Sequence, residues 1–175
     1  MTDDLKYPIG KYAEQPFSES LKEEWIADIA HLPQHLEFAV QNLDEAQLQT
    51  PYRPGGWTVN QLVHHIADSH INAYTRFKFI LTEDDYSIKA YQQDKWAELW
   101  DTKNLPVNIS VTLLFALHKR WTEILKNISV EEWKRTAFHP VHQKKVSLWY
   151  LLGSYAWHGK HHVAHIIQLR KRMNW

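Results

Sequence analysis

The chain has 175 residues, enough for one domain with a full hydrophobic core, and its 20 basic and 20 acidic residues leave no net formal charge. That balance gives no electrostatic footprint for nucleic acid or for an anionic membrane. The absence of cysteine excludes disulfides, thiolate metal sites and a cysteine nucleophile, while nine tryptophans against five glycines point to an aromatic-rich helical core.

The N-terminus, Met1-Thr2-Asp3-Asp4, has neither the basic n-region nor the apolar h-region of a signal peptide. No apolar run approaches membrane-spanning length, so the expectation is a soluble cytoplasmic protein. Residues 1–17 carry Pro8, Gly10 and Pro16 without periodicity and read as an extended N-terminal arm packed on the domain. Ser18 or Ser20 can cap a helix through Leu21, Trp25, Ile29 and Leu32, which Pro33 should kink or restart, because proline removes a backbone donor. A further helical piece from Leu36 to Leu43 follows, and then a loop, Gln49 to Gly56, marked by its prolines and glycines.

Thr58 with Gln61 fits a capping box and opens a long helix to about Thr82, with Val59, Leu62, Ile66, Ala73, Phe77 and Ile80 on its inner face. Residues 83–109 are mixed acidic and aromatic, broken by Pro106, and predict a long connection with one short helix near 92–100. The next helix runs from Ser110 to about Asn127. Ser129 with Glu132 suggests a short capped turn, and 136–146 reads as a polar loop around Pro140, in part extended. The last helix, Ser147 to Met173, ends in Arg170-Lys171-Arg172, which suits the negative end of a helix dipole. These four principal helices, with no internal repeat and no strand pattern, predict an all-α fold. The economical architecture is an antiparallel four-helix bundle with long connections, a single domain over residues 1–175.

Chemistry concentrates in the last helix, where four of the twelve histidines fall within residues 157–165. His158 and His162 are spaced i,i+4, so their rings share a helix face with Cβ atoms about 6 Å apart. They also lie on an inward seam, Leu148, Leu151, Tyr155, His158, His162, His165 and Leu169, in 3-4 alternation. Buried imidazoles are costly unless their nitrogens are satisfied, and a metal ion satisfies them. On the second long helix, Leu62, His65, Ser69, Ala73 and Arg76 form one inward row, while His64 is turned about 100° away. His65, His158 and His162 are therefore the candidate metal ligands. His161 with His165 has the same spacing and is the rival chelate. Structural or surface roles suit His31, His35, His118, His139 and His142. Asp68, three residues from His65 and four from His64, is a candidate to orient one of them. Arg76 is a candidate anion binder for the substrate.

The run Pro51-Tyr52-Arg53-Pro54-Gly55-Gly56-Trp57-Thr58, then Gln61, then Val63-His64-His65-Ile66-Ala67-Asp68-Ser69-His70, resembles the DinB/YfiT superfamily. So do Arg76-Phe77-Lys78, Leu81-Thr82-Glu83, the C-terminal Trp157-His158 with His161-His162-Val163-Ala164-His165-Ile166, and the opening Tyr7-Pro8-Ile9-Gly10. The resemblance covers essentially the whole chain. It implies a four-helix bundle of DinB/YfiT type and one divalent metal ion per subunit on His65, His158 and His162. It also implies a homodimer and a metal-dependent hydrolase activity on a small-molecule substrate. Other members of the superfamily resemble metal-dependent S-transferases that use bacillithiol, mycothiol or glutathione, so a low-molecular-weight thiol is the alternative co-substrate.

Three neutral imidazoles leave a divalent ion its full charge and an open position, the catalytic rather than the structural arrangement. An ion so held lowers the pKa of a bound water towards about 7, or holds a bound thiol as thiolate. Hydrolysis also needs a proton donor for the leaving group, for which Asp68, Tyr155 and His165 are the candidates. Imidazole suits several first-row ions, so three histidines point to zinc or nickel first, with manganese a third choice, and do not select one. A non-catalytic metal-binding bundle is the reading of a different class.

Overall fold

Four amphipathic segments with identifiable starts form the long helices of the computed structural model, which describes residues 5–175. Helix α1 spans Glu19–Val40 and is capped by Ser18, whose Oγ accepts from the Leu21 N–H. A short α2, Glu45–Leu48, closes its own capping box through Asp44 and Gln47. Helix α3, Val59–Thr82, starts with the Thr58–Gln61 capping box: each side chain accepts the other residue's backbone N–H. Two single-turn helices follow, α4 at Gln93–Trp96 and α5 at Trp100–Asn104. Helix α6 spans Val107–Lys126, and a 3-10 turn at Glu132–Lys134 is capped by Ser129 with Glu132. A two-stranded antiparallel hairpin, β1 at Thr136–His139 and β2 at Lys144–Ser147, leads into α7, Leu148–Met173.

Several expectations need correction. Pro33 does not break α1, and Leu36–Leu43 is not a separate piece; the helix is continuous to Val40 because the carbonyl that proline leaves unbonded finds another donor, described below. Helix α6 begins at Val107, not Ser110. Pro106 provides the extended residue before the first turn, and Ser110 turns its hydroxyl to His64. The connection after α3 holds two short helices in place of one. The segment 136–147 is a hairpin of two strands, registered Thr136 to Ser147 and Ala137 to Val146, with only Ala137 and Val146 turned inward. Four-residue strands carry too little alternation to be seen in sequence. The hairpin also ties down the long connection: Ile88 donates to the Phe138 carbonyl and Phe138 to that of Tyr86.

Helices α1 and α3 each pack on both α6 and α7. Trp25 lies on Trp149 and Arg170 reaches the Ala39 carbonyl, so α1 and α7 run the same way. Contacts of His64 with Ser110, His70 with His118 and Phe77 with Trp121 show that α3 and α6 run together, opposite to that pair. Of the chain-adjacent pairs, α1 with α3 and α6 with α7 are thus diagonal, while α3 and α6 are parallel neighbours. The N-terminal arm lies along α7, where Trp149 and Trp157 donate their indole N–H groups to the carbonyls of Gln15 and Gly10.

The buried apolar residues fall into two clusters. One contains Ile29, Phe77, Trp121 and Leu152; the other contains Leu32, Ile66, Leu114 and Ile166. On α3, α6 and α7 the boundary between them falls at histidines: His70, His118, and His158 to His162. A layer of imidazoles divides the core.

Candidate metal centre

Rings from α3 and α7 meet in that layer. The His65 ring centre lies 5.4 Å from that of His158 and 5.1 Å from that of His162, and one ring nitrogen from each of the three falls within 4.8 Å of the others. The Nε2 atoms of His158 and His162 are 3.1 Å apart. Ligands at about 2.0–2.1 Å from a tetrahedral ion stand about 3.3 Å from one another; the His158–His162 pair already has that spacing, and His65 offers a third nitrogen within 4.8 Å of both. The i,i+4 spacing on α7 creates the pair, and the inward row of α3 delivers His65 opposite it.

Burial keeps these rings neutral. It brings the His65 pKa down from 6.5 to about 4, and holds those of His158 and His162 well below the ordinary value, neighbouring imidazoles adding to the effect. Neutral imidazole is the form that binds metal. Trp57 packs its ring 4.6 Å from that of His65 and closes the outer side.

The remaining expected site residues lie elsewhere. His64 is held by the Ser110 hydroxyl at 2.7 Å and the Leu105 carbonyl at 3.0 Å, on the side of α3 away from the triad. Asp68 makes no side-chain hydrogen bond to His64 or His65; burial and the charge of Asp101 raise its carboxyl pKa to about 6. Arg76 bonds the Tyr155 hydroxyl at 2.6 Å and the Lys89 carbonyl at 3.3 Å. Tyr155 is therefore buried against an arginine, and its pKa is raised by that burial. His165 pairs with His161 through their Nε2 atoms at 3.1 Å and packs under Tyr52. The three residues His161, His162 and His165 form a second group with convergent nitrogens.

A cleft of about 340 Å³ opens onto the triad, lined by His65, His158, His161 and His162 together with Tyr52, Arg53, Trp57, Trp157, Gln93 and Asp94. Neither Arg76, Asp68, Tyr155 nor His165 lines it. By its prolines and glycines alone, Gln49–Gly56 reads only as a loop. The signal for its role is Gly55 at φ +68°, with Gly56, where a Cβ would meet Arg53 Cγ at 2.9 Å and Tyr52 Cζ at 3.1 Å. The two glycines fold the loop so that Tyr52 and Arg53 face the histidines.

A helical bundle with an imidazole triad at the floor of an aromatic-walled cleft is the class that the fold and site define. Residues 28–166 match the DinB superfamily model, and the chain belongs to the DinB superfamily. It is 49% identical over 174 residues, 99% of each chain, to a Bacillus cereus strain B4264 protein named "putative metal-dependent hydrolase". A Bacillus anthracis protein of the same name matches with the same identity and coverage. The solved structure of YfiT from Bacillus subtilis, described as a probable metal-dependent hydrolase with an unusual four-helix bundle topology, superposes with a TM-score of 0.96 at 44% identity. That match covers 98% of this chain and 99% of YfiT.

Proposed function

We propose that the protein is a metal-dependent hydrolase acting on a small-molecule substrate, with one divalent ion held by His65, His158 and His162. The observation that carries this is the convergence of three imidazoles from two helices, His65 and His162 buried and His158 half-buried, on the floor of an open cleft. A bound ion would supply Lewis acidity, lowering the pKa of a water or thiol in its open position. The chain's own residues do the rest. Trp57 and Trp157 give the cleft apolar walls, Arg53 offers a cation to an anionic substrate group, and Trp57 shields the His65 ring from water. Zinc and nickel suit the donor set, with manganese a third choice.

Thiol S-transfer, with bacillithiol or another low-molecular-weight thiol attacking an electrophile, is the second reading, and one observation favours it. Of the acids expected to protonate a leaving group, Tyr155 bonds Arg76 and His165 pairs with His161, and neither Tyr155, His165 nor Asp68 lines the cleft. Asp94 at the rim is the carboxyl that remains. Thiol addition makes a smaller demand for such a proton. A homodimer, as the family resemblance implies, and a cytoplasmic location complete the proposal.

Alanine at His65, His158 or His162 is expected to lower bound metal steeply, by elemental analysis, while His161→Ala and His165→Ala retain it. Loss in the last two with retention in His65→Ala would move the centre to the second histidine group. Metal-loaded protein is then assayed on simple esters and amides, and on a halobimane-type electrophile with and without low-molecular-weight thiols. Chelator-sensitive ester or amide cleavage absent from His158→Ala supports the hydrolase. Thiol-dependent conjugation without cleavage replaces it with the transferase. Metal binding with no turnover in either assay supports the non-catalytic bundle.

A further inference from the structure

A proline inside a helix leaves a carbonyl without its donor. Pro33 has no N–H, so the Ile29 carbonyl one turn earlier loses the bond that a helix normally provides. His118 of α6 takes it, with Nδ1 2.5 Å from the Ile29 oxygen. A carbonyl only accepts, so His118 carries its proton on Nδ1 and presents a bare Nε2. That Nε2 lies 3.0 Å from His70 Nδ1, which must be the donor, leaving His70 Nε2 bare in turn. His70 Nε2 faces His158 Nδ1 at 3.4 Å, and the same step places the His158 proton on Nδ1. The His158 Nε2, the atom 3.1 Å from His162 Nε2, is then an open lone pair.

Each step requires a neutral ring, and the surroundings impose one. His70 is 0% and His118 1% exposed, with Trp121 edge-on to both and Tyr155 edge-on to His70. An extra proton there would sit among aromatic walls with no counter-ion.

We propose that His70 and His118 are positioning residues: the chain from the Ile29 carbonyl through His118 and His70 fixes His158 as its Nδ1–H tautomer, so that Nε2 always faces the metal ion. The inference rests on the three-histidine reading of the centre. Because the chain ends on a backbone carbonyl, which neither gives nor takes a proton, its direction cannot reverse. It acts as a strut that sets tautomer and ring angle, the outer support on which metal affinity depends. His162 has no equivalent, since its Nδ1 is buried without a hydrogen-bond partner. The two ligands on α7 are therefore unequal, His158 pre-set and His162 not.

The test reads tautomers directly, in metal-free wild-type protein labelled with 15N-histidine, by long-range 1H–15N correlation at pH 7. His118, His70 and His158 are each expected to be protonated on Nδ1; finding His158 protonated on Nε2 overturns the proposal. As a second arm, His70→Phe keeps a ring in the core but cuts the chain. Its zinc and nickel affinity, by competition titration, should fall about 10–100-fold, while His142→Phe on the exposed hairpin leaves it unchanged. Undiminished affinity in His70→Phe, with helix content intact, also overturns it. Failure of the underlying site reading looks different: His158→Ala would keep its metal while the wild-type tautomers stood as described.

Discussion

A histidine that folding removes from water loses most of its tendency to take up a proton, and this chain does so repeatedly. His118 is the clearest instance, because it touches none of the three candidate ligands. Burial outweighs its bond to the Ile29 carbonyl and lowers its pKa from 6.5 to about 4. The unfolded chain therefore binds more protons between those values, so stability is complete above about pH 6.5 and falls as the pH drops towards 4. His118 alone accounts for about 3 kcal/mol of that loss. His65 and His161, each at about 4, and His165, at about 3, act in the same direction. Asp68 opposes them, its carboxyl being raised to about 6, but it is one group against several. Urea midpoints of metal-free protein are expected to level off above about pH 6.5 and to decline from there to pH 4.5. A flat profile over that range would contradict the neutral histidine layer.

Helix α7 works as an element because it can approach α1 closely at two glycines. A Cβ at Gly153 would meet the Trp25 ring at 2.7 Å and the Tyr12 hydroxyl at 2.5 Å; one at Gly159 would meet Leu32 at 2.7 Å. Glycine inside a helix costs about 1 kcal/mol relative to alanine, so its use there needs a compensating contact. At Gly153 that contact is a rigid indole, which cannot move aside as a leucine side chain can. Gly153→Ala is expected to destabilise by about 1–2 kcal/mol net, overpacking outweighing the better helix propensity. Denaturant melts settle the sign, and a stabilised variant would mean that Trp25 repacks. Helix α1 survives Pro33 through its contact with α6: the carbonyl left over one turn earlier accepts from His118 and becomes the anchor of the histidine chain. In this element a rule that normally ends helices serves to fix a ring.

Across the whole molecule, two apolar clusters stand on either side of the imidazole layer, each built from all four long helices. Each is large enough to hold the helices together without a cation between His65, His158 and His162. Metal removal is therefore expected to abolish activity and lower the melting temperature by the linked binding energy, while leaving most of the helical circular dichroism at room temperature. A cooperative loss of helix signal on adding chelator at 25 °C would show instead that the ion is structural. No helix among the described residues is long and apolar enough to cross a membrane, in keeping with the polar outer faces of the bundle.

The sequence by itself determined what is local and periodic. The capping box at Thr58, the Ser129–Glu132 hydrogen bonds, the extent of α7, the inward seams and the His158–His162 pair all follow from spacings of three and four residues, and helical geometry is indifferent to the rest of the chain. The inward row of α3 even singled out His65 from its neighbour His64. Tertiary structure decided everything that depends on a partner distant in sequence. Pro33 reads as a break until His118, 89 residues away along the chain, reaches the Ile29 carbonyl. Arg76 and Asp68 share the histidine-bearing helix, yet only packing shows that the cleft takes Arg53 and Asp94 in their place. His70 and His118 carried no periodic signal of a joint role, because they lie on different helices that meet only when α3 and α6 run side by side. Hydrogen-bond direction is a property of the assembled chain of groups, and no single residue's position in the sequence encodes it.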